Sequence, residues 1–170
     1  MKVAVLTVSD RSASGEREDR SGPALRALAE AQGWQVTAVT IVPDERQAIE
    51  RMLARWTDES EADLILTTGG TGFAPRDVTP EATLAVVERQ APGLAEAIRA
   101  AGLRVTPHAM LSRGVAGIRR RSLIVNLPGS PQAAREGFEV IRTALPHAIA
   151  LLTEQPDAEA GHRPPPRGRT

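Results

Sequence analysis

Short apolar runs alternate along the chain with stretches in which apolar residues recur at helical spacing. Runs rich in apolar residues at 3–8, 34–42 and 62–68 predict strands, and the first and third are almost continuously apolar, which is typical of strands buried on both faces of a sheet. Helix starts with cap or proline signals follow these runs at Ser21, Asp44, Thr79, Pro92 and Pro131. This alternation predicts an α/β fold with a parallel or mixed sheet covered by helices on both faces.

The last third of the chain predicts a hairpin, a helix and a tail. Residues 112–126 contain two apolar stretches separated by three arginines at 119–121, which predicts two strands joined by an arginine-rich turn. The final helix is expected to reach residue 152 with a bend at Pro146. From residue 154 onward, frequent prolines and almost no apolar residues predict disorder. The chain is therefore expected to form one domain at 1–153 and a Pro/Arg-rich disordered tail at 154–170.

The segment 69–82 joins a glycine turn to an acidic residue and a helix start. Gly69, Gly70 and Gly72 follow the third apolar run, at a strand's carboxyl end, where ligands of α/β proteins usually bind. Glycines let backbone amides approach an anionic group without obstruction by a Cβ atom, and Asp77 adds a carboxylate beside them. The segment predicts a phosphate site with a metal ligand. The alternative is a glycine-rich connection followed by a capped helix.

Other loops are expected at the same edge of the sheet. A polar loop at 9–20 opens where the first strand ends. Thr79, followed by a proline and a glutamate, has the sequence of a helix N-cap. Ser130, also followed by a proline, predicts a second helix N-terminus suited to anions. Asp44, with a glutamine three residues later, has the form of a capping box.

Composition favours a small-molecule partner. The chain has 170 residues, 21 basic and 21 acidic side chains and a net charge of zero, so no overall field attracts nucleic acid or an anionic membrane. No apolar stretch approaches the ~20 residues that span a bilayer, and no signal peptide precedes the first strand. We expect a cytoplasmic protein without nucleic-acid or membrane partners.

The residue types that are rare in the chain narrow its chemistry. There is no cysteine, which excludes a thiolate nucleophile or a Cys-ligated zinc site, and Lys2 is the single lysine, so no P-loop lysine is present. His108, His147 and His162 show no metal-binding spacing and are interpreted as surface or packing residues. The remaining carboxylates, hydroxyls, amides and arginines suit a hard metal ion and a charged substrate.

Six motifs, in order along the chain, resemble those of the Mog/MoaB family of molybdenum-cofactor biosynthesis proteins. They are TVSDR at 7–11 with Asp19 and Ser21-Gly22, PDE at 43–45, TGGTG at 68–72, RDVTPEA at 76–82, LSR at 111–113 and NLPGSP at 126–131. The resemblance covers about residues 1–152. GGTG is shared with molybdopterin molybdotransferases and a family of nicotinamide-nucleotide amidases, whereas RDVTPEA favours the Mog/MoaB family.

The resemblance implies a three-layer α/β/α fold that assembles as trimers or hexamers. It also implies transfer of AMP from MgATP to molybdopterin, which gives adenylylated molybdopterin and pyrophosphate before a molybdotransferase inserts molybdate. The attacking group would be the terminal phosphate of molybdopterin, which is already an anion and needs no strong base. Such an enzyme must mainly orient two polyanions and neutralise their charge.

The resemblance also assigns roles to individual residues. Asp44 and Asp77 match the acidic positions that the family needs for catalysis, through Mg²⁺ and ATP. Gly69, Gly70, Thr71 and Gly72 would approach phosphate. The pterin and nucleotide pocket would be lined by Ser9, Asp10, Ser112, Asn126, Pro128, Gly129 and Ser130. The alternatives are a helix cap for Asp44, a turn residue for Asp77, and loop hydroxyls for Ser9 and Ser112.

The resemblance leaves two alternative functions open. The chain ends soon after its last predicted helix, which is more similar to MoaB-type than to Mog-type proteins. A molybdopterin carrier or scaffold without turnover is therefore the alternative to an adenylyltransferase, and the presence of both Asp44 and Asp77 favours the enzyme. A nicotinamide-nucleotide hydrolase is a third hypothesis, for which a different acidic pattern is expected after the glycines.

Overall fold

The computed structural model of the protein describes residues 1–156 and Ala158, and its centre is a six-stranded sheet. The strands are β1 (Lys2–Val8), β2 (Gln35–Val42), β3 (Leu64–Thr68), β4 (Arg89–Gln90), β5 (Ala116–Arg119) and β6 (Ser122–Leu127). They lie in the order β2-β1-β3-β6-β5-β4. Strands β2, β1, β3 and β6 pair in parallel, whereas β5 runs antiparallel to both β6 and β4. The mostly parallel, mixed sheet expected from the sequence is confirmed.

Helices occupy both faces of this sheet. They are α1 (Asp10–Ala13), α2 (Ser21–Ala31), α3 (Arg46–Asp58), α4 (Thr79–Val86), α5 (Pro92–Leu103), α6 (Pro131–Ile141) and α7 (Leu145–Leu152), with a 3₁₀ turn at Pro107–Leu111. None of the helices in the described part of the chain is long and apolar enough to cross a membrane.

Alternate residues of each central strand face opposite helix layers. Val5 of β1 belongs to a buried apolar cluster with Leu25 of α2 and Phe138 of α6. Its neighbour Leu6 belongs to a second cluster, with Ile49 of α3. This follows from the two-residue period of side chains along a strand. Helices α2, α5, α6 and α7 cover one face and α3 and α4 the other, which confirms the three-layer α/β/α fold.

The structure corrects three details. Helix α1 lies in the segment 9–20 that was predicted as a loop, the 3₁₀ turn lies where no element was predicted, and the single bent C-terminal helix is two helices, α6 and α7. Pro146 is the second residue of α7, where its missing N–H breaks no helical hydrogen bond, so it begins a helix and does not bend one. Residues 157 and 159–170 of the predicted tail lie outside the described residues. At the start of the tail, Glu154 forms an ion pair with Arg121.

The strand order creates a crevice at the carboxyl ends of β1 and β3. From β1 the chain passes through α2 to β2 on one side, and it returns through α3 to β3 on the other side of β1. The loops that follow β1 and β3 therefore diverge. Such a topological switch point is where open α/β sheets bind their ligands, and it is where the sequence places the glycine turn.

Candidate active site

The glycine turn after β3 adopts a conformation that only glycine accommodates easily. Gly69 has φ +97° and Gly70 has φ +62°. A Cβ atom on Gly69 would lie 2.2 Å from the carbonyl oxygen of Val8, and one on Gly70 would lie 3.0 Å from Asp44 Oδ1. The turn thus packs directly against the end of β1 and against the Asp44 carboxylate.

Thr79 fixes this turn and does not serve as the helix N-cap that its sequence predicts. It is the first residue of α4, and the cap position is Val78, which makes no side-chain capping bond. The Thr79 hydroxyl donates to the Gly69 carbonyl at 2.8 Å, and its amide donates to the Gly70 carbonyl at 3.0 Å. The start of α4 is therefore bonded to the turn.

The second junction, after β6, lies against the first. Ser130 is the N-cap of α6, as predicted, and its Oγ accepts from Ala133 N at 3.2 Å. Thr68 Oγ1 donates to the carbonyl of Pro128 at 2.7 Å. A Cβ atom on Gly129 would lie 3.1 Å from Gly69 Cα. The two loops are thus in contact, and the start of α6 opens into the same crevice.

Asp44 is not the helix cap that its sequence suggests. The N-cap of α3 is Glu45, without a side-chain capping bond. Asp44 Oδ2 accepts instead from the amide of Asp10 at 2.7 Å, and the Asp44 amide donates to Asp10 Oδ1 at 2.9 Å. This reciprocal pair joins the segments that follow β1 and β2. A partner 34 residues away along the chain thus takes the place of the local capping bond.

Asp10 is neutralised by an arginine from the glycine loop. Arg76 donates Nε to Asp10 Oδ2 at 2.9 Å and Nη2 to Oδ1 at 2.7 Å. This bidentate pair is the main reason that the pKa of Asp10 lies below its ordinary value. Both side chains are largely exposed. Arg76 was not singled out by the sequence analysis, although it stands in the RDVTPEA motif.

The carboxylates of Asp44 and Asp77 differ from that of Asp10 in their partners. In the part of the chain that the structure describes, neither carboxylate forms a direct ion pair with arginine or lysine. Asp77 Oδ2 accepts from Ala74 N at 3.0 Å. Burial is the largest cause of a raised pKa for Asp44, and the charges of Asp10 and Asp77 raise it further. The hydrogen bond from the Asp10 amide and the nearby charge of Arg76 act in the opposite direction.

We predict that Asp77→Asn lowers the pKa of Asp44. The substitution removes a like charge, so the ionised form of Asp44 becomes easier to reach and its titration moves to lower pH. Carboxyl ¹³C NMR against pH would measure this, with Asp10, whose pKa is held low by Arg76, as an internal reference. An unchanged Asp44 titration would mean that the two carboxylates do not interact.

Two adjoining cavities open at this edge of the sheet. The first, of about 790 Å³, is lined mostly by polar and charged side chains and is called the polar cavity. The predicted site residues that line this cavity and not the second one are Ser9, Asp10, Asp44, Gly69 and Ser130. The second, of about 520 Å³, has an apolar wall that includes Ile98, Val105 and Leu111, and the predicted residues that line it alone are Thr71, Gly72, Ser112 and Pro128. Gly70, Asp77 and Gly129 line both cavities. His108, interpreted from sequence as a surface or packing residue, also lines the apolar cavity.

Asn126 is the one predicted pocket residue that lines neither cavity. It is buried, its amide nitrogen donates to the hydroxyls of Thr67 and Thr83 at 2.9 Å each, and its side-chain oxygen accepts from Val115 N at 3.2 Å. Its side chain is therefore occupied in tying β6 to β3 and α4. The sequence analysis placed it in the pocket because it begins the NLPGSP motif.

Arg113 anchors the glycine loop and was not singled out from the sequence. Its Nε donates to the carbonyl of Gly72 at 2.7 Å and its Nη2 to the carbonyl of Asp77 at 2.6 Å, while Nη1 pairs with Glu81. The Arg113 amide also donates to the carbonyl of Thr71 at 2.9 Å. This guanidinium holds both ends of the loop that carries Asp77. The signal was present in the LSR motif at 111–113.

The site fits a divalent cation only in company with a ligand. The described residues contain no group of three or more His, Cys, Asp or Glu side chains arranged to hold a metal ion. Asp44 and Asp77 nevertheless supply two hard, unpaired oxygen ligands beside the glycine amides. Mg²⁺ typically binds through one or two carboxylates plus substrate phosphates, so these two residues fit it if a polyphosphate completes the coordination.

The fold and the site define a class: an α/β protein whose glycine turn and helix starts meet at the switch point of its sheet, the place where open α/β sheets bind their ligands. Residues 4–147 match the family described as "Probable molybdopterin binding domain". The chain belongs to this family.

Known proteins resemble the chain over most of its length. It is 46% identical over 164 residues to gephyrin of Dictyostelium discoideum, a match that covers 91% of this chain but only 23% of gephyrin. It is 43% identical over 152 residues to the molybdopterin adenylyltransferase of Helicobacter pylori, covering 88% of this chain and 86% of that protein. The crystal structure of the molybdopterin biosynthesis enzyme MoaB from Thermus thermophilus superposes with a TM-score of 0.86 at 52% identity, over 91% of this chain and 98% of that one.

Proposed function

We propose that this protein is a molybdopterin adenylyltransferase, which transfers AMP from MgATP to molybdopterin during molybdenum cofactor biosynthesis. The observation that carries the proposal is the position of Asp44 and Asp77, two carboxylates without cationic partners beside the glycine turn. The curated name of the Helicobacter pylori relative, which is similar over nearly its whole length, supports the reaction.

The division of the crevice into two cavities supports the same reaction. The polar cavity suits a chain of phosphates, whereas the apolar cavity is large enough for a flat heterocycle of the kind found in a pterin or an adenine. Gly70, Asp77 and Gly129 lie where the two cavities meet. We assign the reacting α-phosphorus to this boundary.

The proposed step is an in-line displacement at phosphorus. A phosphate oxygen of molybdopterin forms a bond to the α-phosphorus of ATP, the bond from that phosphorus to the bridging oxygen of the β-phosphate breaks, and pyrophosphate leaves with the electron pair. Because the attacking oxygen is already ionised, no side chain has to remove a proton. Catalysis therefore depends on position and on charge.

The residues around the boundary have distinct tasks in this proposal. Backbone amides of the turn at Gly70 and of the α6 start at Ser130 orient phosphate oxygens. Asp44 and Asp77 would hold Mg²⁺, which neutralises charge on the phosphates when it is bound. Arg113 keeps Asp77 in place through the carbonyl bonds at both ends of its loop.

Release of pyrophosphate tests the proposal directly. Purified protein with molybdopterin, ATP and Mg²⁺ should release one pyrophosphate for each adenylylated molybdopterin formed, and leaving out molybdopterin should abolish this release. Binding of molybdopterin without pyrophosphate release would instead identify the protein as a carrier or scaffold. Replacing ATP by GTP in the same assay identifies the nucleotide.

We also propose an oligomer and a compartment. Val39 and Ile41 are exposed on β2, an edge strand of the sheet, which supports self-association, and the resemblance to the Mog/MoaB family favours a homotrimer or homohexamer. Analytical ultracentrifugation would distinguish trimer from hexamer.

A molybdate-inserting molybdotransferase is the proposed recipient of the product. We assign the activity to the cytoplasm, where ATP is available.

A further inference from the structure

The arginines of the polar cavity differ in whether they already have a carboxylate partner. Three of the four arginines that line it are ion-paired: Arg11 with Glu16 at 3.0 Å, Arg20 with Glu18 at 3.2 Å and Arg76 with Asp10 at 2.7 Å. The fourth, Arg17, makes no ion pair within the described residues.

Arg17 is nevertheless held at the cavity wall. Its Nη2 donates to Ser9 Oγ at 3.1 Å, and its amide donates to the carbonyl of Arg11 at 2.9 Å. Ser9 Oγ is itself fixed, because it also accepts from Ser12 N at 3.2 Å as the N-cap of α1. Only one of the five guanidinium N–H groups has a protein partner among these contacts. Arg17 is thus tethered in the cavity with most of its donors available.

The unpaired charges of the cavity complement a magnesium polyphosphate. Asp19 is occupied by the start of α2, where its Oδ1 accepts from the amides of Ser21 and Gly22. Asp44 and Asp77 then remain for a cation, and Arg17 remains for an anion. A guanidinium binds phosphate oxygens through a planar fork of donors. Arg17 can do so without first breaking an ion pair to a carboxylate.

We propose that Arg17 binds the β- and γ-phosphates of the nucleotide, the part that leaves as pyrophosphate. Arg17 lines the polar cavity and not the apolar one, whereas Asp77 lies where the two meet. Pyrophosphate has no apolar part, so it belongs in the polar cavity, beyond the reacting phosphorus. This inference rests on the proposed adenylyl transfer, because that reaction defines pyrophosphate as the leaving group.

The test compares Arg17→Gln with Arg26→Gln, which removes the same charge from an arginine that is paired with Glu30 on α2 and lines neither cavity. Calorimetric titration in Mg²⁺ should show that Arg17→Gln weakens ATP and pyrophosphate binding about tenfold but leaves AMP binding unchanged. Arg26→Gln should change each affinity less than about twofold, because this arginine lies outside both cavities and is separated from the bound phosphates by solvent. Arg17→Lys should recover only part of the loss, since an ammonium lacks the fork.

Several results would overturn the assignment. These are equal pyrophosphate affinity in Arg17→Gln and Arg26→Gln, a loss of AMP affinity in Arg17→Gln as large as its loss of pyrophosphate affinity, or no measurable pyrophosphate binding by the unmodified protein. Kinetics separate this inference from the proposed function. If the unmodified protein transfers AMP and Arg17→Gln has an unchanged KM for ATP, the Arg17 assignment fails and the function stands. If no AMP is transferred but Arg17→Gln loses pyrophosphate affinity selectively, the function fails and Arg17 remains a polyphosphate ligand.

Discussion

Asp77→Asn should slow AMP transfer by about a hundredfold or more while the protein stays folded. The amide oxygen of asparagine can still accept the hydrogen bond from Ala74 N that Asp77 Oδ2 accepts at 3.0 Å. The side-chain volume is almost unchanged, so the loop should keep its shape. What is lost is the negative charge at the boundary of the two cavities, and electrostatic groups of this kind are often worth two to three orders of magnitude in rate.

Asp63→Asn is the matched control for this variant. Asp63 also accepts one backbone N–H, from Lys2 at 2.7 Å, but it lies at the opposite end of β3. Pyrophosphate release under saturating substrates and thermal unfolding should be measured for both variants. We expect a selective loss of rate in Asp77→Asn and an unchanged rate in Asp63→Asn. A folded Asp77→Asn protein with full activity would reduce Asp77 to a turn residue.

The sequence predicted those elements whose signals are repeated along many residues. The apolar-rich runs that became β1, β2 and β3, and the helix starts at Ser21 and Pro131, lie close to their predicted places. Helix α1 has four residues and β4 has two, so neither is long enough to show a period. The break between α6 and α7 was missed because Pro146 was interpreted as a bend.

Long-range pairings limit what could be predicted of the site. The DxxQ pattern at Asp44 is a valid capping box when only neighbouring residues are considered, but the carboxylate binds the Asp10 amide across the crevice. Asn126 likewise donates to the buried hydroxyls of Thr67 and Thr83 and does not line the cavities. In both cases tertiary contacts, which cannot be read from the neighbouring sequence, determine the orientation of a polar side chain. The family and the fold are confirmed, whereas the catalytic and binding roles of these residues stay predictions.

Arginine side chains are the clearest case of this limit. Arg76 and Arg113 both make two or more hydrogen bonds that hold the glycine loop, and neither was predicted to do so. In a chain whose basic residues are nearly all arginine, the sequence does not reveal which ones are already paired. That information comes only from the carboxylates and carbonyls that the fold brings beside them.

Gly69→Ala should destabilise the protein by about 3 kcal/mol or more, the largest stability loss we predict. Part of the cost is the positive φ of +97°, which is unfavourable for residues with a Cβ atom. The other part is contact, since the new Cβ would lie 2.2 Å from the carbonyl oxygen of Val8 in the rigid backbone of β1. Relief requires the turn to move, which would also displace Gly70 from Asp44.

Gly33→Ala separates these two contributions. Gly33 has φ +74°, but a Cβ atom there would meet nothing within 4 Å, so only the conformational cost of about 1 kcal/mol should appear. Denaturant unfolding of both variants at the same protein concentration gives the difference, which we expect to be about 2 kcal/mol. ATP affinity should fall in Gly69→Ala alone, because only there does the turn that we propose as the phosphate site shift. Equal destabilisation of the two variants would show that the backbone at Val8 moves aside at little cost. The close packing of β1 against the turn would then not determine the shape of the site.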